Sequence, residues 1–135
     1  MAGKLKLIVV TAEKTAAGAE VDEVSLPGEM GYLGILPGHA PLIALLKPGV
    51  VSYKAAGKCE ALAIDGGFAE VSNDVVTVLA GVAEGRGEID AAAAERAKTE
   101  AEAEMKTLGL EALDAARARA ELATARLTVA RGPGA

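Results

Sequence analysis

The sequence predicts an antiparallel β-sandwich or barrel followed by a pair of antiparallel helices, and three observations carry that prediction. Short apolar and β-branched runs recur at roughly 8–12-residue spacing with turn residues between them, the signature of a many-stranded antiparallel domain. Between Leu26 and Gly49, Gly28, Gly31, Gly34 and Gly38 alternate with Pro27, Pro37, Pro41 and Pro48, yet Leu33, Ile35, Leu36, Leu42, Ile43, Leu45 and Leu46 keep the stretch apolar. Glycine supplies positive φ or close backbone approach, and proline fixes φ and denies an amide to a ladder. Such a segment therefore folds as tight turns and short edge strands on a sheet. Finally, at Gly85-Arg86-Gly87 the period-two pattern gives way to a long run of Ala, Glu, Arg and Lys, which sets a boundary between residues 1–87 and 88–135.

Taken in order, Leu5 to Val10 is rich in branched side chains and reads as a strand. Thr15 to Gly18 reads as the connecting turn. Ala19 to Leu26 then alternates, with Val21, Val24 and Leu26 on one face against Asp22, Glu23 and Ser25. On that reading Asp22 and Glu23 point to opposite faces and cannot act as an acid/base pair. After the Gly/Pro-rich stretch come strands at Val50–Ala55, Ala61–Ile64, Phe68–Val71 and Val75–Val82, separated by Gly57, Gly66-Gly67 and Asn73-Asp74 and closed by Gly81.

Asp90 is placed to N-cap a helix from about Ala91 to Leu108, with Gly109 as its C′ stop. A second helix runs from about Glu111 to Arg131 and ends at Gly132-Pro133. So short a connection makes the helices an αα-hairpin. Its seam is Leu113, Ala116, Ala120, Ala123, Leu127 and Ala130 against Ala94, Ala97, Ala101, Met105 and Leu108, at heptad-like spacing. Burying an alanine methyl yields under ~1 kcal/mol, against roughly 1.5–3 for Leu or Ile, so the helices approach closely but hold each other weakly. Alanine also favours the helix itself, which makes the pair a movable arm. Residues 88–108 carry six acidic and three basic side chains, residues 110–131 three and four. The second helix, with Arg117, Arg119, Arg126 and Arg131, is the one suited to an acidic surface; the plainer reading is a solvated helix with ordinary ion pairs.

The chain has 135 residues, 51% of them hydrophobic, enough for one real core or one core with a small appendage. A net charge of −5 and the lack of a basic stripe argue against nucleic-acid binding. The apolar run near the N-terminus is too short for a signal h-region or a membrane span, so the expectation is a soluble protein made on the cytoplasmic side, without membrane insertion. The lone Cys59 and lone His39 form neither a disulfide nor a metal cluster. Gly28, Gly31 and Gly34 make G-x-x-G-x-x-G, neither a dinucleotide fingerprint nor a P-loop. His39, in a turn, holds its loop by donating to a carbonyl or serves an interface. Tyr32 is a lid on the sandwich or an exposed interface anchor. Cys59 reads as an inert thiol.

The segment GYLGILPGHAPLIALLKPG, Gly31 to Gly49, closely resembles the LGI-PGHAP segment of the epsilon subunit of bacterial F-type ATP synthases, the counterpart of the mitochondrial delta subunit. Leu62 to Gly67, Val71 to Ala80 and the Ala-rich tail extend the resemblance over nearly the whole chain. It implies a ten-stranded β-sandwich at the foot of the central stalk and a helical hairpin. The sandwich would contact the gamma subunit and the c-ring, and the hairpin would lie folded on it or extend along gamma and the alpha/beta catalytic subunits to inhibit ATP hydrolysis. By the same resemblance Gly31, Tyr32, Leu33, Gly34 and His39 fall in the part facing the c-ring and gamma, with Tyr32 where several homologues carry an acid. Some members bind ATP through a pattern that begins Ile-Asp-x-x-Arg-Ala. Here Ile89 and Asp90 are followed by Ala93 and Ala94, without the arginine, and the second helix is about one turn shorter. The implied cofactor is therefore none, or ATP held weakly by Asp90, Arg119 and Arg126. The expected protein is a non-catalytic rotor subunit, peripheral to the cytoplasmic face of the plasma membrane. The competing readings are a free-standing β-sandwich adaptor that oligomerises through its helices, and a hydrolase centred on His39.

Overall fold

A computed structural model describes residues 3–107 and 109–132. Ten strands, β1 (Leu5–Val10), β2 (Thr15–Val21), β3 (Glu23–Gly28), β4 (Gly31–Ile35), β5 (Leu42–Leu46), β6 (Gly49–Ala55), β7 (Lys58–Ile64), β8 (Gly67–Ser72), β9 (Val75–Leu79) and β10 (Ala83–Gly85), precede helices α1 (Ala91–Met105) and α2 (Leu110–Arg131). The strands pair in the order β10-β7-β6-β3-β5-β8-β9-β1-β2, with β4 on β3. The link between β3 and β5 is a single residue pair, Gly28 with Leu46. There the sheet folds over into two layers, β10-β7-β6-β3-β4 and β5-β8-β9-β1-β2. Leu26, Ile35, Val51 and Ile64 from one layer meet Leu5, Leu7, Val71, Val76 and Val78 from the other in a core without polar side chains among the described residues. That is the ten-stranded sandwich the resemblance implied, followed by the helical pair.

Tertiary pairing overrides the sequence pattern in several places. Thr15 to Gly18 is strand, paired with β1, and the turn lies earlier. Thr11 closes it: its amide donates to the Lys14 carbonyl at 2.9 Å, and its hydroxyl accepts from the Glu13 and Lys14 amides. Ala16, Ala17 and Gly18 resemble a turn because they are small, but a neighbouring strand supplies what their propensity lacks. The expected strand Ala19–Leu26 breaks at Asp22, whose amide donates to the Lys54 carbonyl at 2.7 Å as the chain passes between layers. Asp22 is thus not a strand residue with Glu23 on its opposite face. The two carboxylates are separated by partners instead, Asp22 with Lys4 and Glu23 with Lys54 at 3.6 Å. The expected strand Val75–Val82 ends early, at Leu79: the Asp65 carboxylate accepts from the Val82 amide at 2.8 Å and holds the chain off the ladder before β10 begins at Ala83. One pairing is parallel, β1 with β9, which the long intervening chain permits.

Asp90 caps α1, its carboxylate accepting from the Ala93 amide at 3.1 Å. The helix ends early, at Met105, with Lys106 as C-cap. Gly109, expected as a left-handed stop for the first helix, is instead the N-cap of the second, in extended conformation at φ −72°. Gly132, at φ +83°, ends α2. Leu108, expected in the seam and as the end of the first helix, and Pro133, expected as a stop signal, lie outside the described residues. In the seam Ala94, Ala101, Ala116, Ala120, Ala123 and Leu127 are buried, so the contact is alanine-rich as the spacing predicts. A second stripe of α2, Ala125 and Val129, packs on Ala63 of β7 with Val50, Ala61 and Ile89 around it. The hairpin therefore covers the outer face of the β6-β7-β10 layer through α2.

Candidate functional site

The opposite outer face is bare. Registers place Leu45, Phe68, Leu79 and Val10 in one cross-strand row, and Ile43, Glu70, Thr77 and Ile8 in the next. Residues directly opposite in a ladder project to the same side, so both rows share the surface turned away from the core. On a water-facing sheet these positions would be polar. Here Ile43 is 73% exposed, Leu45 63%, Phe68 44% and Leu79 39%. Met30, fully exposed at the β3–β4 turn, extends the surface: with Gly28, Leu33, Ala44 and Leu45 it borders a groove of about 340 Å³. A contiguous bare apolar face of this kind is the usual mark of a protein–protein interface.

The Gly/Pro-rich segment supplies β4, β5 and the loops beside them, with Met30 near Leu45 at one end of β5 and the His39 loop, tied to Asp74 through Gly38, at the other. Gly31 opens β4 at φ +126°, a backbone state that excludes ordinary side chains, whereas Gly34 needs no such freedom and a side chain there would meet open space. The expectation that every glycine of this run serves a turn or a close approach thus fails at Gly34. Tyr32 is exposed, as an interface anchor would need to be, and is also tied back to the sandwich. Its ring is 59% exposed, while its hydroxyl accepts from the Val50 amide at 3.2 Å. Gly49 makes that reach possible, since a Cβ there would lie 2.6 Å from Pro27 Cβ and 3.1 Å from the Tyr32 hydroxyl. Leu33 packs against the core from the edge strand. His39 holds its own loop: the Nδ1 lies 2.7 Å from the Ala40 carbonyl, and the His39 amide donates to Leu36. A contact invisible in the sequence fixes the loop from below, where the Asp74 carboxylate of the β8–β9 turn accepts from the Gly38 amide at 2.7 Å.

The four arginines of α2 are distributed along the hairpin. Arg117 faces Asp114 at 3.7 Å one turn away, Arg119 pairs with Glu104 of α1, Arg126 reaches Glu84 of β10 at 2.5 Å, and Arg131 is exposed in the last turn. Lys47 with Glu121 at 3.0 Å, and Arg86 donating to the Ala130 carbonyl at 3.2 Å, are further ties between sandwich and hairpin. Asp90, Arg119 and Arg126, implied by the resemblance to hold ATP with the two arginines as its phosphate contacts, each have another partner. Asp90 caps the start of α1 and Arg119 bonds near its end, about 20 Å away at 1.5 Å per residue. Lys14 bonds Glu88 just before the hairpin, and that bond, then the Gly85 amide, holds the Glu88 carboxyl below its ordinary value. The Tyr53 phenol is pushed up by burial, then by Glu60 across the strand pair. Cys59 is exposed at the start of β7. Among the described residues no group of three or more His, Cys, Asp and Glu side chains is arranged to hold a metal ion, and no helix is long and apolar enough to cross a membrane.

Residues 4–86, the sandwich with its bare face, match the family described as ATP synthase, Delta/Epsilon chain, beta-sandwich domain. The chain belongs to this family. Among its relatives are the ATP synthase epsilon chain of Koribacter versatilis, 46% identical over 82% of this chain and 78% of the relative, and that of Solibacter usitatus, 43% identical over 93% and 98%. Membership sets the chain among the non-catalytic subunits of a membrane-associated complex. The same fold occurs in a chain of the Euglena gracilis mitochondrial ATP synthase OSCP/F1/c-ring assembly, with a TM-score of 0.78 at 23% identity over 90% of this chain and 78% of that one. It occurs again in the Tetrahymena thermophila central stalk/c-ring assembly, with a TM-score of 0.61 at 13% identity over 96% and 98%.

The bare face is what reading the sequence missed. Ile43, Leu45, Phe68 and Leu79 looked like core-forming strand residues, and alternation alone does not say which face of a two-layer sheet is outside. The available signal was that in β5 consecutive positions are all apolar, more than a strand with one wet face needs.

Proposed function

We propose that this chain is the central-stalk rotor subunit of a bacterial proton-translocating F-type ATP synthase, lying peripherally on the cytoplasmic side of the plasma membrane. It joins the gamma subunit to the c-ring and restrains ATP hydrolysis through its hairpin. The observation that carries the reading is the division of the sandwich: one outer face lies under the chain's own helices, and the other is apolar and bare. The bare β5-β8-β9 face seats gamma. Strand β4, with Gly31, Tyr32, Leu33 and Gly34, runs along the edge of the other layer from the Met30 turn towards the His39 loop, and this edge meets the c-ring. Torque needs a stiff body, which the apolar two-layer core supplies.

Regulation needs a second arrangement for the hairpin. Its contact with the sandwich is made of small side chains and a few surface ion pairs, so a competing surface on gamma or the alpha/beta subunits can displace it. The bonds of Arg117, Arg119 and Arg126 can then be exchanged for acidic groups of those subunits, and Arg131, exposed in the last turn of α2, can meet one as well. A self-associating adaptor gains less support, because the apolar stripes of α2 are occupied by α1 and by the sheet.

Deleting the residues after Gly87 tests the proposal in the reconstituted complex. The shortened chain should still bind gamma while hydrolysis rises. An unchanged hydrolysis rate would end the inhibitory role, and loss of gamma binding by a folded sandwich would end the docking role. ATP titration of the full chain, followed by amide exchange in the hairpin, tests nucleotide binding through Asp90, Arg119 and Arg126; no change in protection at millimolar ATP means no regulatory site.

A further inference from the structure

One ionisable side chain stands within the bare apolar face. Glu70 is exposed on β8, with Ile43 directly opposite on β5 and Thr77 on β9, and the Leu45–Phe68–Leu79 row lies beside it. No ion pair among the described residues involves Glu70. Lys6, the one cation on the same side of these strands, pairs in register with Val75, one row along and two strands away. At about 4.8 Å per strand and two residues of rise, that is on the order of 12 Å, beyond a direct bond. In water this carboxylate is fully hydrated. It sits on an inner strand, between β5 and β9, so a partner that covers Ile43, Leu45 and Phe68 also covers Glu70.

Covering a lone carboxylate removes its hydration with nothing in return, a cost large enough to cancel the gain from the surrounding apolar contacts. A second copy of this chain would make it worse, since a twofold contact through this face brings like charges together. We propose that the partner seated here carries a lysine or arginine within an otherwise apolar patch, placed to bond Glu70, and that this pair fixes the register of docking. The inference rests on the reading that this face seats the stalk partner, and it adds the chemistry that partner must present.

The test is rebinding of the full-length chain to the synthase stripped of it, at low and high salt, for wild type, Glu70→Gln, Glu70→Lys and Leu45→Ser. Both positions are exposed, so the three variants keep the fold. Glu70→Gln should weaken binding at least about tenfold and flatten the salt dependence, and Glu70→Lys should weaken it about a hundredfold or more. Leu45→Ser should weaken binding while leaving the salt dependence as it is. Reversal of one basic residue on the partner's contact surface to glutamate should restore binding of Glu70→Lys. If Glu70→Gln binds as tightly as wild type while Leu45→Ser binds weakly, the face is a docking surface but the cation is not there, and Glu70 serves only to keep free chains apart. If Leu45→Ser also binds normally, the docking reading falls and the inference goes with it.

Discussion

Val129→Ala isolates the grip of the hairpin on the sandwich. Val129 is buried against Ala63 in a small cluster distinct from the sandwich core, so its side chain is covered only while α2 lies on the sheet. The substitution removes two methyl groups, about 1.6 kcal/mol at ~0.8 per buried carbon. The void left among Val50, Ala61 and Ala125 adds up to about 1 kcal/mol, for a cost of roughly 1.6–2.5 kcal/mol, because such small neighbours collapse only partly. The ratio of docked to undocked hairpin should fall roughly 10- to 70-fold. Hydrogen exchange reads this directly: amides of α1 and α2 that exchange through undocking should speed up by that factor, while amides of β5, β8 and β9 keep their rates. Val76→Ala, in the centre of the sandwich core, is the counterpart and should lower protection throughout the head. If Val129→Ala accelerates head and hairpin amides equally, the two form one cooperative unit and the idea of a separately opening arm is wrong.

Gly49→Ala forces its new methyl against Pro27 and the Tyr32 hydroxyl, so it should break the Tyr32–Val50 bond, cost about 1–3 kcal/mol from overpacking, and weaken c-ring association more than Tyr32→Phe does; equal rebinding by the two variants would show that the position of Tyr32 is irrelevant. The tie of the hairpin root to the β1–β2 turn through Glu88 and Lys14 depends on pH in a definite direction. The folded-state pKa of Glu88 lies below its ordinary 4.5, so its contribution is complete above that value and disappears as pH falls through the lowered one. Carboxyl titration by NMR should show the depression in wild type and most of it lost in Lys14→Ala; an unaltered Glu88 titration would assign the shift to the Gly85 amide instead.

How much of this was readable in advance depended on whether a signal was local. Asn73-Asp74 and Ala56-Gly57 take positive φ in two-residue hairpin turns, and the turn residues themselves announce them. Asp90 capping α1 and the alanine spacing of the seam are equally local, and both were legible. Where distant pairing decided the outcome, the pattern misled. Thr15 to Gly18 became strand because β1 runs beside it, and Asp22 became a break because Lys54 offers its carbonyl. Within the candidate site, the GYLG stretch and the His39 loop could be picked out from their residues, although GYLG is strand β4, paired with β3, and the turn precedes it at Glu29-Met30. Their support by Gly49 and Asp74 could not, since those contacts join parts of the chain far apart in sequence. The bare face was hidden for the same reason: whether Leu45 or Leu46 points outward is settled only once β5 is in register with β8.

Alanine along the hairpin has a consequence that follows from the energetics of two-state parts. An arm that is to be handed from the sandwich to a neighbouring subunit needs its two arrangements within a few kcal/mol of each other, or no ligand or partner can shift the balance. Leucine at Ala116, Ala120 and Ala123, if accommodated, would bury roughly 1.5 kcal/mol more at each position, a total of about 4–5. A shift of that size moves a balanced pair of states to more than about 99:1 in favour of the folded hairpin. The same reasoning applies beneath the arm, where Ala61 and Ala63 present little apolar surface to water when α2 leaves. Small side chains on both sides of the contact lower the cost of exposure along with the gain of docking. Ties such as Arg126 with Glu84 and Lys47 with Glu121 then fix where the arm lies without fixing that it must stay there.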